Sequence, residues 1–261
     1  MSSQGKKLRL NKIFGGDGKV LIVPVDHGLA SGAVMGLEYP GKTIKDMIEG
    51  GADAILATYG IIKKYYQEFG GKGVIVRFDG GPTDWGEDIE ATDLMYTVED
   101  AIRIGADAII TSTWLGGPHE ARTMTSAAKL AAACEAWGMP LIIETFMSSQ
   151  VQPTVENVKM AARIACDLGA DVVKTYLVGD ESSYREVTSK CFCPIVILGG
   201  EKNNDELMIF KWVKTAVDAG AVGSCIGRNV FQHKNPKGVV QGLKSIIHGN
   251  AAVEDVANLI S

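Results

Sequence analysis

The chain has 261 residues, 46% of them apolar and 22% charged, which is enough apolar material for a large buried core and excludes a disordered chain. Its net charge of -5, with the 26 lysines and arginines dispersed, excludes a basic field for nucleic acid or an anionic membrane, so an anionic ligand has to be held by local donors. No apolar run reaches the ~20 residues of a membrane span and Met1 to Leu10 lack the apolar stretch of a secretion signal, so a cytoplasmic location is expected.

Taken in chain order, short apolar runs read as strands at Val20–Val25, Ala54–Thr58, Val74–Phe78, Ala108–Thr113, Leu141–Thr145, Val172–Tyr176, Ile195–Leu198 and Val222–Ile226. Four of them are preceded by a recurring joint: Gly51-Ala52-Asp53, Gly105-Ala106-Asp107, Gly169-Ala170-Asp171 and, more weakly, Gly220-Ala221. A helix that ends at a left-handed glycine and feeds directly into a buried strand has this form. Helical patterns lie between the runs, among them Ser126–Trp137 and Thr154–Leu168, the second with Thr154 as its cap. Leu37–Pro40, Gly80–Asp93 and Leu115–Arg122 read as loops.

Eight apolar strands alternating with helices, over a length close to the usual ~250 residues, predict a single α/β domain over residues 1–261, a closed (β/α)8 TIM barrel. The competing architecture is an open doubly wound sheet, but no Gly-x-Gly-x-x-Gly follows the first strand. Of the five cysteines, Cys134, Cys166, Cys191, Cys193 and Cys225, only Cys191 and Cys193 are close in sequence. Without a second pair the spacing is not that of structural zinc, so reduced thiols and no metal site are expected.

A barrel of this kind builds its active site from polar residues at the carboxyl ends of the strands. Here those ends are Asp26-His27-Gly28, Asp79-Gly80-Gly81, Ser112-Thr113-Trp114, Glu144-Thr145, Lys174-Thr175-Tyr176, Gly199-Gly200 and Gly227-Arg228-Asn229. Lys174, inside an apolar strand, is expected to point inward, where burial disfavours the ammonium and lowers its pKa toward that of a usable amine nucleophile. The alternative is a structural lysine paired with Asp26 or Glu144. Asp26 and Glu144 are the carboxylates available for proton transfer, although Asp26 could instead cap the following segment. His27 fits packing or ligand orientation as well as it fits catalysis. Gly199, Gly200, Gly227 and Arg228 end the seventh and eighth strands, where backbone amides and a basic side chain commonly bind phosphate; as plain turns they would need no ligand.

These motifs, together with Val23-Pro24-Val25-Asp26-His27-Gly28, Val173-Lys174-Thr175-Tyr176, Val196-Ile197-Leu198-Gly199-Gly200 and Ile226-Gly227-Arg228-Asn229-Val230-Phe231-Gln232, resemble one family across nearly the whole chain. That family joins the archaeal-type class I fructose-bisphosphate aldolases, a related aldolase or transaldolase of the archaeal aromatic pathway, and the thiolase that cleaves a phosphorylated pentane-dione. The resemblance implies a Schiff-base lysine at Lys174, a proton carrier at Asp26, phosphate held by Gly199, Gly200, Gly227 and Arg228, and a homo-oligomer as large as a ring-based decamer. A Schiff base on Lys174 would need no metal or other cofactor, because the iminium supplies the electrophilic pull that a bound cation would otherwise provide.

The chain departs from the sugar aldolases on strand five, where it reads Glu144-Thr145-Phe146-Met147 in place of a tyrosine followed by proline. Phe146 cannot donate a proton, so either Glu144 takes over or the substrate needs no such transfer. Asp79, Trp114, Thr145 and Phe146 are expected, with His27, to shape the pocket. The expected substrate is a small phosphorylated ketone or ketose, undergoing carbon–carbon cleavage or formation. The alternatives are coenzyme-A-dependent thiolysis of a phosphorylated pentane-dione and a barrel that binds sugar phosphates without turnover.

Overall fold

The computed structural model describes residues 3–203 and 205–260. Eight parallel strands close into a barrel in chain order: β1 (Val20–Pro24), β2 (Ala54–Ala57), β3 (Gly73–Arg77), β4 (Ala108–Leu115), β5 (Leu141–Met147), β6 (Val172–Thr175), β7 (Ile195–Leu198) and β8 (Gly223–Cys225). The seam joins β1 to β8 with Val20 opposite Gly223 and Ile22 opposite Cys225. Backbone approach there is so close that a Cβ on Gly223, whose φ is +153°, would collide with the carbonyl oxygen of Val20.

Side chains alternate across each strand. One set, including Leu21, Ile55, Ile109, Ile143, Val173 and Ile197, packs outward against the helices. The other, including Val20, Ile22, Leu56, Ile75, Ile110, Ile142, Val172 and Val196, fills the barrel interior. Each such side chain contributes about 1.5–3 kcal/mol by leaving water.

The Gly-Ala-Asp joints have a second physical role beyond ending helices. Gly51, Gly105 and Gly169 do adopt positive φ, and each following aspartate reaches back to the start of the preceding strand. Asp53 accepts from Leu21 N at 2.8 Å, Asp107 from Val74 N at 3.1 Å, and Asp171 from Leu141 N at 2.8 Å. Neighbouring strands are thereby clamped at their amino ends. The helix Gln4–Ile13 closes that end of the barrel: Lys6 binds Asp171, Lys12 pairs with Asp107 at 3.1 Å, and Ile13 joins the interior cluster.

Two loop expectations need correction. The loop expected over Leu115–Arg122 shrinks to Gly116–His119, because β4 runs on to Leu115 and the next helix, Glu120–Trp137, begins well before Ser126. Leu37–Pro40 ends one residue early, since Pro40 is the first residue of the helix Pro40–Gly50, where a missing N–H costs nothing. The segment 80–93 is irregular as expected, and its two ends are pinned by an antiparallel ribbon pairing Asp79 with Leu94 and Gly80 with Asp93.

Candidate active site

Strand parity decides which polar residues meet. Counting inward from Ile75, Ile110, Ile142 and Val172, the same face carries Arg77, then Ser112 and Trp114, then Glu144 and Phe146, and finally Lys174. They line a cavity of about 440 Å³ at the carboxyl ends of the strands, together with Asp26, His27, Asp79, Gly199, Gly200, Cys225, Gly227 and Arg228. Every candidate taken from the sequence reaches this cavity except Thr145. Its side chain points to the opposite face, where its hydroxyl donates to Thr175 Oγ1 at 2.8 Å and both residues are fully buried. Thr145 is therefore a buried packing residue between sheet and helices, and its assignment to substrate contact is withdrawn.

The floor of the cavity is an ion network. Glu144 and Lys174 are register partners on adjacent strands, and Lys174 Nζ lies 2.5 Å from Glu144 Oε1. The other carboxylate oxygen, Oε2, accepts from Arg77 Nη2 at 2.6 Å. The Arg77 guanidinium also donates through Nε to Asp26 at 2.8 Å, and through Nη1 to Asp79 at 3.2 Å and Ser112 Oγ at 3.0 Å. Asp79 is fixed further by Ser112 N at 3.0 Å. The fork of Arg77 thus spreads one charge over three carboxylates, a geometry that a lysine cannot supply.

This network overturns one expectation about Lys174. Burial pulls its pKa down, as expected, but Cys225 once ionised, then Glu144 and Asp26, pull it up, and the net shift is upward. At rest the group is an ammonium held by Glu144. Burial alone would raise Glu144 and Asp26; Lys174 and Arg77 hold Glu144 below the usual carboxylate range, and Arg77, His27 and Lys174 do the same for Asp26. His27 moves the other way: burial lowers its pKa and leaves the imidazole neutral near pH 7. Its Nδ1 is 3.6 Å from Asp26 Oδ1, and the ring meets Phe231 edge-on with centroids 5.3 Å apart.

The rim opposite is organised by Asn229, which the sequence places at the end of the eighth strand without indicating a role. Its amide donates to Gly199 O at 3.0 Å and Glu201 O at 2.9 Å and accepts from Asn203 N at 2.8 Å, tying the turn after β7 to the turn after β8. Arg228 stands beside it with Nε buried and without a hydrogen-bond partner among the described residues. On another wall Trp114 and Phe146 stack with ring centroids 4.7 Å apart, giving a flat apolar surface. Arg77 was also missed, although the alternation that placed Ile75 inside carried a signal for it: two residues on, it faces the same way. The position of Asn229 at a strand end was legible, but its bridging role was not, because it depends on two turns distant in sequence.

Comparison with known proteins identifies relatives over the full barrel. The family described as DeoC/LacD family aldolase matches residues 20–233. A 2-amino-3,7-dideoxy-D-threo-hept-6-ulosonate synthase of Halobacterium salinarum is 34% identical, covering 97% of this chain and 96% of its own. A 3-hydroxy-5-phosphonooxypentane-2,4-dione thiolase of Klebsiella pneumoniae is 30% identical, covering 94% of this chain and 82% of its own. Among solved structures, an archaeal fructose-1,6-bisphosphate aldolase, whose catalytic Lys is covalently bound to the carbinolamine intermediate of the substrate, superposes with a TM-score of 0.84. It is 26% identical and covers 94% of this chain and 100% of its own.

Proposed function

The chain belongs to the DeoC/LacD aldolase family, and from that membership we propose that it makes or breaks a carbon–carbon bond in a small phosphorylated ketone or ketose through a Schiff base on Lys174. The observation that carries the reading is the placement of a buried lysine 2.5 Å from Glu144, on the floor of a cavity whose rim holds Gly199, Gly200, Gly227 and Arg228. Both line the same cavity. The relative with a carbinolamine on its catalytic lysine supports the same chemistry.

In this reading the phosphate docks against the glycine turns and Arg228, which places the ketone carbon above Lys174. Lys174 passes a proton to Glu144 and attacks the carbonyl as the free amine. Glu144, now neutral, returns the proton to the carbinolamine hydroxyl, which leaves as water and gives the iminium. The iminium then accepts the electron pair of the breaking carbon–carbon bond, while the hydroxyl proton of the departing half goes to Asp26. Asp26 is fitted to that step because Arg77 keeps it ionised and positioned. A raised Lys174 pKa is compatible with the sequence, since its proton has an acceptor in direct contact.

A second reading is coenzyme-A-dependent thiolysis of a phosphorylated pentane-dione, favoured by Phe146, which presents no phenol to the cavity. Both enzyme readings share the first intermediate, so one experiment tests them against a barrel that only binds. The protein is incubated with dihydroxyacetone phosphate, reduced with borohydride, digested and mapped by mass spectrometry. A reduced adduct on the peptide bearing Lys174, lost in Lys174→Met, is expected. Substrate turnover without any adduct, or an adduct elsewhere, overturns the proposal. Acyl-coenzyme A released from the dione would then select thiolysis over aldol cleavage.

A further inference from the structure

At the amino-terminal end of the strands, away from the catalytic mouth, three of the five cysteines converge. Cys166 lies in the last turn of the helix Val155–Asp167, Cys191 caps the helix Glu181–Lys190, and Cys193 follows just before β7. The sulfurs of Cys166 and Cys191 are 2.9 Å apart, about 0.9 Å more than a disulfide bond. Cys193 is within hydrogen-bonding reach of Cys166, and its own Sγ lies 3.2 Å from Ala170 O. Cys134 and Cys225 differ: each is a single thiol that burial pushes up to about 12. In the cluster, hydrogen bonds from Cys191 and Cys193 hold the Cys166 thiol well below the ordinary range. Cys166 is buried while Cys191 and Cys193 are half-buried, so a reagent from solution meets the latter two first.

We propose that Cys166 and Cys191 are a disulfide-forming pair, a reversible modification site separate from the active site, with Cys193 as the neighbouring thiol that stays reduced. The oxidant is a small-molecule disulfide of the glutathione class. The Cys191 thiol, the half-buried member of the pair, gives up its proton as it attacks one of the oxidant's sulfurs and expels a small thiolate, leaving a mixed disulfide on Cys191. Cys166 then attacks that sulfur from its position behind it and expels the second small thiolate. The two cysteine protons pass to the two departing thiolates, so the cysteines are oxidised by two electrons and the oxidant is reduced to two thiols. The new bond closes a loop that contains the whole of β6, and it braces the strand bearing Lys174 without entering the cavity.

The test uses the full-length protein treated with oxidised glutathione, then denatured and probed for free thiols. The titre is expected to fall from five to three, and to return to five with reductant. Trypsin leaves Cys191 and Cys193 on one peptide and Cys166 on another, so single Cys→Ser variants identify the partner. The cross-link is expected in the wild type and in C193S, and not in C166S or C191S. A titre that stays at five, a cross-link that survives in C191S, or one that joins two chains overturns the proposal.

Discussion

Replacing Arg77 with methionine is the sharpest test of the ion network. The side chain is removed from contact with Asp26, Asp79 and Glu144, which it touches at 2.6 to 3.2 Å, and the buried carboxylates are left with Lys174 and, beside Asp26, His27. Breaking a buried ion network by deleting one partner costs about 3–5 kcal/mol, which for a urea m-value near 3 kcal/mol/M lowers the midpoint by roughly 1–1.7 M. The sign with pH follows from the native shifts. Asp26 and Glu144 lie below the usual carboxylate range, so in the native protein their ionised forms stabilise the fold above about pH 4, and that contribution fades only as pH falls through the lowered values. Without Arg77, Asp26 loses its largest counter-charge and burial dominates there, so its pKa rises and the variant loses stability as pH increases through it, while Glu144 is still held by Lys174. The deficit is therefore expected to be larger at about pH 8 than at about pH 5 in paired urea denaturations followed by tryptophan fluorescence. An equal displacement of the midpoint at both pH values would refute the assignment of Arg77 as the main counter-charge of Asp26.

Three further outcomes are expected. Glu144→Gln removes the proton acceptor of Lys174 and lowers kcat by about 10²–10⁴-fold; because Glu144 helps hold the Lys174 pKa up, the pH profile of borohydride trapping moves to lower pH, and an unmoved profile contradicts the pairing. Arg228→Ala raises KM for a phosphorylated substrate by roughly 10–100-fold with a smaller change in kcat, and weaker inhibition by inorganic phosphate in steady-state assays checks that the loss is at the phosphate. Gly223→Ala places a methyl group against Val20 O at the β1–β8 seam, so a loss of more than about 3 kcal/mol is expected, seen as a lowered Tm or absence of soluble protein.

Much of this architecture could be read before any coordinates, for identifiable reasons. The strands of a parallel barrel are continuous apolar runs, and glycine joints mark where four of them begin, so all eight are legible within two residues at either end. The two longest overruns, to Leu115 and Met147, occur where β4 and β5 keep pairing with each other past the barrel, with Trp114 opposite Phe146. That extension depends on the partner strand. The Glu144–Lys174 pair shows the same limit. Both residues were legible as candidates, but only the register sets them side by side, and that contact is one of those, after Cys225, that reverse the expected direction of the Lys174 shift. Thr145 failed for a simpler reason: it neighbours a site residue in sequence, and adjacent residues on a strand face opposite ways.

The seam between Val20–Ile22 and Gly223–Cys225 also bears on how the molecule is made. The first strand leaves the ribosome long before the last, so throughout synthesis β1 and whichever strand was most recently finished present unpaired edges to the cell. A chain interrupted upstream of Gly223 is therefore not a smaller barrel but an open sheet primed to associate edge to edge. Nascent chains of this protein should lean on chaperones until their final strand arrives.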